Sequence, residues 1–272
     1  MDISELQHKC TKIRIDIINM IANAHSGHPG GSLSATEMLV ALYNTQLRVD
    51  PKNPGDPDRD RFVLSKGHCA PAYYAVLCDK GFFPREQLLS LRKAGGMLQG
   101  HPVPGHIPGV DAATGSLGQG LSIAAGMAIG AKLRKSDIKV YVMCGDGELD
   151  EGMIWEASMA CAHYKLDNLT LLVDNNGMQI DGRNDDVMSL GNLNAKFTAF
   201  GFDVIELPDG NDLAAVIKAL ETKTAPGKPK CILAHTVKGK GVSFMENQVG
   251  WHGKAPNEEQ RAQAVAELEA KL

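Results

Sequence analysis

From residue 120 onward, short apolar runs alternate with segments of helical periodicity. The apolar runs have the length of buried strands and occupy residues 139–144, 169–174, 203–207 and 230–236. The segments of helical periodicity are residues 120–133, 151–164, 194–200 and 213–223. Strands that alternate with helices in this way form parallel sheets with helices on both faces. The pattern therefore predicts an α/β fold built on a parallel sheet.

Periodicity also predicts three further helices. Apolar residues recur at helical spacing in residues 3–24, 70–80 and 257–272, the last being an amphipathic tail. Two helix starts are predicted from polar side chains. Ser34, followed three residues later by Glu37, has the form of a capping box, and Asn211 is expected to cap the helix that follows it.

Two segments rich in helix-breaking residues are expected to be loops. They comprise residues 50–61 and 95–120. The second is long, and long loops inside compact domains are usually functional. No internal repeat, low-complexity tract or linker divides the chain, so we expect residues 1–272 to form a single domain.

Composition excludes several classes of function. A net charge of -4 provides no basic field that would attract nucleic acid or an anionic membrane. No apolar stretch approaches the roughly 20 residues of a membrane span, and the first residues lack the features of a secretory signal. The six cysteines contain no Cys-x-x-Cys pair, which favours reduced core thiols and a cytoplasmic location over a metal–thiolate site.

The most informative polar residues come directly after two predicted strands. Gly145-Asp146-Gly147 ends the first of them, and Asp174-Asn175-Asn176-Gly177 ends the second. Ligands of open parallel sheets bind at the carboxyl ends of strands, so Asp146 and Asn176 are predicted to share one site. Their hard oxygen atoms suit Mg²⁺ or Ca²⁺, and a phosphate in the same coordination shell favours Mg²⁺. Each segment taken alone is also a common turn sequence.

The pair of motifs resembles the diphosphate and metal motif of thiamine diphosphate enzymes. The resemblance extends over nearly the whole chain and points to the amino-terminal, diphosphate-binding domain of transketolase. Six segments that occur in the same order as in that family carry it: His25–Gly30, Ser65–His68, Gly100–Pro102, Thr114–Gly120, Gly145–Gly152 and Trp251–Lys254.

The resemblance implies thiamine diphosphate and Mg²⁺ as cofactors, with Ca²⁺ or Mn²⁺ as substitutes for the magnesium. Asp146 and Asn176 would ligate the metal through their side chains and Met178 through its carbonyl, while phosphates and water complete the shell. The residues implied to contact the cofactor are His68, Gly115, Ser116, Leu117, Gly147, Glu151, Asn176, Lys238 and His252.

At Ser116 this sequence differs from many relatives, and at Glu151 the helical spacing and the resemblance favour different environments. Ser116 stands where many relatives have proline, so its backbone contacts are expected to persist with less rigidity. Glu151 and Glu156 lie on one predicted helix, where five residues of rotation place their side chains about 140° apart. This spacing favours a solvated face, whereas the resemblance implies a buried acid network at a subunit interface.

Three histidines are predicted to be catalytic. His28, His101 and His252 lie in loops that carry glycine or proline rather than on helix faces. A neutral imidazole can donate to a ketose oxygen or accept from it, and it titrates near working pH. The resemblance implies that His28 and His252 bind the ketose carbonyl region and relay protons. It also implies that His101 bonds a substrate hydroxyl.

Thiamine diphosphate chemistry also needs a carboxylate against the aminopyrimidine ring. In transketolases that glutamate and the arginines for sugar phosphate belong to a pyrimidine-binding domain. We expect this domain and the carboxy-terminal domain on a separate subunit. The resemblance therefore implies the amino-terminal subunit of a split transketolase, a homodimer within an α2β2 assembly that acts on sugar phosphates only with its partner.

Other interpretations are less well supported by the residues. A 1-deoxyxylulose-5-phosphate synthase or a dehydrogenase E1 component uses the same half-scaffold, but the loop histidines and Trp251–Lys254 favour a ketose transferase. A non-catalytic regulatory homologue would have broken metal ligands, yet Asp146 and Asn176 are intact. A nicotinamide-binding fold is disfavoured because Gly115–Gly120 has the wrong glycine spacing and no strand directly before it.

Overall fold

The computed structural model describes residues 2–272. The helices are α1 (Ile3–Ala24), α2 (Pro29–Ser34), α3 (Thr36–Ala41), α4 (Ala70–Lys80), α5 (Gln119–Leu133), α6 (Gly152–His163), α7 (Asn184–Val187), α8 (Leu193–Ala199), α9 (Leu213–Glu221) and α10 (Glu258–Glu269). The strands are β1 (Arg61–Leu64), β2 (Val140–Gly145), β3 (Leu169–Asn175), β4 (Asp203–Leu207) and β5 (Lys230–His235).

These strands form one parallel sheet in the order β1-β2-β3-β5-β4. The predicted parallel α/β fold is confirmed, and the four predicted strands lie within one residue of their expected bounds. The sequence pattern does not predict β1. This edge strand has only three apolar residues after Arg61, too short a run to show a period.

Side chains of each central strand alternate between two apolar cores on opposite sides of the sheet. Tyr141 and Met143 of β2 pack in the core that includes residues of α1, α3, α4, α9 and α10. Val140, Val142 and Cys144 of the same strand pack in the core that includes residues of α5, α6 and α8. Helices therefore cover both faces, as the strand period of two requires.

The predicted capping box is wrong. Ser34 is the last residue of α2, and its hydroxyl donates to the Asp174 carboxylate over 2.6 Å. Glu37 lies within α3 and pairs with the buried guanidinium of Arg14 at 2.6 Å. Both side chains satisfy buried charged groups, which cost more when unpaired than a helix end without a side-chain cap.

The predicted cap of α9 is displaced by one residue. Asp212 caps the helix and accepts a hydrogen bond from the Ala214 N–H at 2.9 Å. Asn211 instead donates to the Ser34 carbonyl at 3.1 Å and accepts from the Val237 N–H at 2.9 Å. Asn and Asp cap helices about equally well, so local sequence does not separate the two positions.

The glycine-rich segment behaves as predicted. Residues 95–118, all of which the structure describes, contain no helix or strand. All six cysteines are buried free thiols, in agreement with the predicted core thiols. Between residues 2 and 272, no helix has both the length and the apolar character needed to cross a bilayer.

Replacing Gly120 with alanine is expected to destabilise the fold. A Cβ at Gly120 would lie 2.4 Å from Cβ of Ser65, whose Oγ already accepts from the Gly120 N–H at 3.1 Å. Overpacking of this kind lowers the free energy of unfolding by about 1–3 kcal/mol. Thermal unfolding followed by circular dichroism measures the change.

Gly126→Ala is the matched control on the same helix. A Cβ at Gly126 meets no atom within 4 Å, so the substitution is expected to raise the free energy of unfolding by up to about 1 kcal/mol through helix propensity. Unfolding temperatures that shift equally in both variants would contradict the steric argument for Gly120.

Candidate active site

A cavity of 350 Å³ lies at the carboxyl edge of the sheet, beyond the ends of β2 and β3. Ligands of open parallel sheets bind in this place. A larger cavity of 490 Å³ beside Glu206 and His235 contains none of the predicted site residues. The predicted residues that line the 350 Å³ cavity are His28, His68, His101, Gly115, Leu117, Asp146, Gly147, Asn176, Met178, Lys238 and His252.

Asp146 joins the turns that follow β2 and β3. Its carboxylate accepts hydrogen bonds from the Gly147 N–H at 2.8 Å and from the Gly177 N–H. The residue is 2% exposed. Burial, and then the nearby Asp174 carboxylate, raise the pKa of Asp146 to about 6. A buried anion beside a second anion is a position that a divalent cation would stabilise.

Asn176 and Met178 place two more oxygen atoms in the turn after β3. The Asn176 side-chain oxygen accepts from the Met178 N–H at 3.2 Å, and the Met178 carbonyl accepts from Nζ of Lys238 at 3.2 Å. Within residues 2–272, no group of three or more His, Cys, Asp or Glu side chains could hold a metal. A metal here would depend on carboxylate, amide and carbonyl oxygens together with oxygens of a bound ligand, a set that suits Mg²⁺.

A buried ion pair underlies the cavity. The side chains of Lys66 and Asp174 are 2% and 0% exposed, and the ammonium contacts the carboxylate directly. The Asp174 carboxylate also accepts from the hydroxyls of Ser34 and Thr236. Burial alone would raise the pKa of Asp174, but the ammonium and the hydroxyls hold it below its usual value. The pair therefore links the loop after β1 to the end of β3.

Three imidazoles meet in the cavity wall. The ring centre of His28 lies 5.0 Å from that of His68 and 5.5 Å from that of His252, and the last two are 5.4 Å apart. Burial, and then neighbouring groups that carry positive charge, lower the pKa of His28 and His68 to about 4 and that of His252 to about 3. All three are neutral at pH 7, so each can both donate and accept a hydrogen bond.

The neighbour of His252 fixes the position of its proton. Nζ of Lys238 lies 2.9 Å from Nδ1 of His252. An ammonium group only donates, so Nδ1 accepts and the proton of the neutral ring resides on Nε2. His252 therefore has an Nε2–H group as the donor that it can offer to a ligand.

Two buried polar atoms in the cavity wall have no hydrogen-bond partner. They are Nδ1 of His28 and Nε2 of Gln179, a residue that the sequence analysis did not single out. Native proteins rarely leave such atoms unpaired, and an unpaired one points to a ligand. Together with the side-chain oxygens of Asp146 and Asn176, which can ligate a metal, these two nitrogens fit a cofactor that combines a metal-bound diphosphate with polar rings.

Glu148 is a second wall residue that the sequence analysis missed. Its carboxylate accepts from the Gly118 N–H at 2.9 Å, from the Gly145 N–H at 3.1 Å and from the Ser65 hydroxyl. The side chain thus joins three loops around the cavity. The only local signal was an acidic residue directly after Gly-Asp-Gly, because its partners lie far away in sequence.

Two predicted cofactor residues lie outside the cavity wall. Ser116 is exposed between Gly115 and Leu117, which do line the cavity. Glu151 is the exposed residue that precedes α6, and Glu156 on that helix is also exposed. Their roles toward the cofactor or a subunit interface stay predictions.

The fold and the cavity define a thiamine diphosphate-binding domain of the transketolase type. Residues 6–271 match the family described as "Transketolase, thiamine diphosphate binding domain". The chain therefore belongs to the transketolase family, and the resemblance inferred from its motifs is confirmed.

The relatives fall into two groups: proteins of about the same length as this chain and much longer proteins. It is 43% identical to one subunit of the apulose-4-phosphate transketolase of Phocaeicola vulgatus, over 100% of this chain and 96% of that protein. It is 46% identical to a 6-deoxy-6-sulfo-D-fructose transketolase subunit of a Clostridium species, over 97% of this chain and 96% of that protein. Human transketolase is 38% identical over 98% of this chain, which spans 42% of that protein.

Solved transketolases share the fold closely. The enzyme from Campylobacter jejuni superposes with a TM-score of 0.93 at 35% identity, over 99% of this chain and 43% of that one. The enzyme from Leishmania mexicana gives 0.90 at 32% identity, over 99% and 41%. The chain thus corresponds to one part of these longer proteins.

Proposed function

We propose that this chain is the amino-terminal subunit of a two-component transketolase. The enzyme transfers a two-carbon ketol unit from a ketose phosphate to an aldose phosphate, with thiamine diphosphate and Mg²⁺. The observation that carries the proposal is one cavity in which Asp146 and Asn176 face the neutral imidazoles of His28, His68 and His252. The similarity to single transketolase subunits of the same size, over 96% of their length, supports it.

The residues of this chain divide between cofactor and substrate. Asp146, Asn176 and the Met178 carbonyl would hold Mg²⁺, and the metal would bind the diphosphate. Thiamine diphosphate supplies a carbon nucleophile and an electron sink when it is bound. The neutral rings of His28 and His252 bind ketose oxygens. His252 donates from Nε2–H, because its Nδ1 already accepts from Lys238, whereas Nδ1 of His28 has no protein partner and leaves that ring free to move a proton.

Two features support the need for a partner subunit. The carboxylates in the cavity wall, Asp146 and Glu148, both accept hydrogen bonds from backbone N–H groups, so neither is free to hold an aminopyrimidine ring. Large apolar side chains are exposed in the segment that leaves the cavity, with Ile180 at 64%, Val187 at 43% and Met188 at 61%. Three exposed apolar side chains within residues 180–188 favour a surface that a partner covers.

The names of the two bacterial relatives indicate the class of sugar. One denotes a ketose phosphate and the other a ketose that carries a sulfo group. Both are ketoses with an anionic substituent, which supports a ketose phosphate as the donor here.

The test is an assay of the purified chain with Mg²⁺ and thiamine diphosphate, alone and after adding the partner chain that carries the pyrimidine-binding domain. Ketol transfer between ketose and aldose phosphates is expected only in the mixture. A chelator should abolish it and added Mg²⁺ should restore it, because Asp146, Asn176 and the Met178 carbonyl would hold the metal that the diphosphate needs for binding. Full activity of the chain alone would refute the two-component proposal.

A further inference from the structure

Arg92 connects two loops that carry predicted catalytic histidines. Its Nη1 donates to the hydroxyl of Ser26, two residues before His28, at 3.3 Å. Its Nη2 donates to the carbonyl of Gly100, the residue before His101, at 3.5 Å. One planar guanidinium therefore reaches both loops at once, which a fork of fixed donors can do.

Close packing supports the same contact. A Cβ at Gly100 would lie 3.1 Å from Cζ and 3.2 Å from Nε of Arg92, so the guanidinium rests against the bare backbone of that glycine. This contact explains why glycine occupies position 100 of the Gly100–Pro102 motif, because a side chain there would press against Arg92.

The backbone of Arg92 adopts an unfavourable conformation. Its φ is +57°, in the left-handed region that favours glycine, and its N–H donates to the Leu98 carbonyl at 2.9 Å. Such a conformation persists at a non-glycine residue only where the surroundings impose it. Glycine would adopt this backbone conformation with less strain, yet the position carries an arginine.

Neighbouring contacts fasten the same segment to the end of α1. Nδ2 of Asn23 donates to the Leu89 carbonyl at 2.9 Å, and Nζ of Lys93 donates to Oδ1 of Asn23 at 3.3 Å. No carboxylate within residues 2–272 pairs with Arg92 at salt-bridge distance, so its charge is not committed to a carboxylate elsewhere.

We propose that Arg92 is a positioning residue that ties the loop before His28 to the loop before His101 and so fixes the two imidazoles relative to each other. The catalytic part of this inference rests on the proposed function, whereas the tie between the loops does not. The two parts therefore have separate readouts.

The first readout is hydrogen exchange of the full chain. In Arg92→Gln and Arg92→Gly, amides of residues 25–28 and 99–101 are expected to exchange about fivefold faster or more, while those of α5 stay unchanged. Arg134→Gln is the matched control, because Arg134 pairs with Asp58 on the exposed surface. Unchanged exchange in both loops would overturn the proposal, whatever reaction the enzyme catalyses.

The second readout is the kinetics of the chain assembled with its partner subunit. Misplaced imidazoles should lower kcat by about 10- to 100-fold in Arg92→Gln, with the affinity for thiamine diphosphate unchanged. Arg92→Lys keeps the charge but replaces two separated nitrogens by one, which does not reproduce the positions of Nη1 and Nη2, so it is expected to behave like Arg92→Gln. A lysine variant with wild-type kcat and loop exchange would show that charge alone matters and would refute the tie.

A double variant tests the path through Ser26. Ser26→Ala removes one acceptor of the guanidinium and should weaken protection of residues 25–28. Added to Arg92→Gln it should cause no further loss, because the contact is already absent. Fully additive losses would contradict a shared contact.

Discussion

Replacing Asp146 with alanine is expected to abolish metal-dependent binding of thiamine diphosphate to the assembled enzyme. Asp146 is the one carboxylate among the proposed ligands, and it also accepts from the Gly147 and Gly177 N–H groups. Its loss removes the anion that attracts the cation and frees the turn after β3. Affinity should fall by about 100-fold or more, and ketol transfer with it. Titration calorimetry with Mg²⁺ and cofactor measures the change.

A control variant distinguishes the loss of a metal ligand from a general effect of removing one negative charge. Asp58→Ala removes an exposed carboxylate whose side chain is 69% accessible and which lies outside the cavity wall. It should leave cofactor affinity unchanged. Unchanged affinity in the Asp146 variant as well would remove Asp146 from the metal site and leave the proposed cofactor chemistry without its main ligand.

The adjacency of Asp146 and Asn176 was predictable because it depends on strands with a strong local signal. β2 and β3 are strands of six and seven residues, rich in apolar side chains and buried except for Asn175 at the end of β3. Parallel neighbours end at the same edge, and Gly145 is indeed the register partner of Asp174. The fold class and the proximity of Asp146 and Asn176 can therefore be predicted from the sequence pattern alone.

Residues that act through distant partners were not predictable in this way. Glu148 bonds to Ser65, 83 residues away, and Arg92 to Ser26, 66 residues away. Neither side chain has a local pattern that names its partner. The cap predicted at Ser34 is wrong for the same reason, because its hydroxyl donates to the carboxylate of Asp174, 140 residues away. Local sequence predicts elements well, but tertiary contacts decide which polar groups are free.

The buried pair of Lys66 and Asp174 gives the largest expected effect on stability. Asp174→Ala leaves the Lys66 ammonium buried without its carboxylate, and it leaves the hydroxyls of Ser34 and Thr236 without their acceptor. Breaking one side of a buried pair costs about 3–5 kcal/mol. For a chain of this size the unfolding temperature should fall on the order of 10 °C. Urea and thermal unfolding measure both quantities.

A second Lys–Asp pair on the same chain provides the comparison that isolates burial. Lys132 and Asp167 lie 2.6 Å apart, with side chains 36% and 38% exposed. Solvent screens such a pair, so Asp167→Ala should change the free energy of unfolding by no more than about 1 kcal/mol. Lys66→Met combined with Asp174→Asn removes both buried charges and should recover much of the loss. A double variant as unstable as Asp174→Ala would contradict the unpaired ammonium as the cause of the loss.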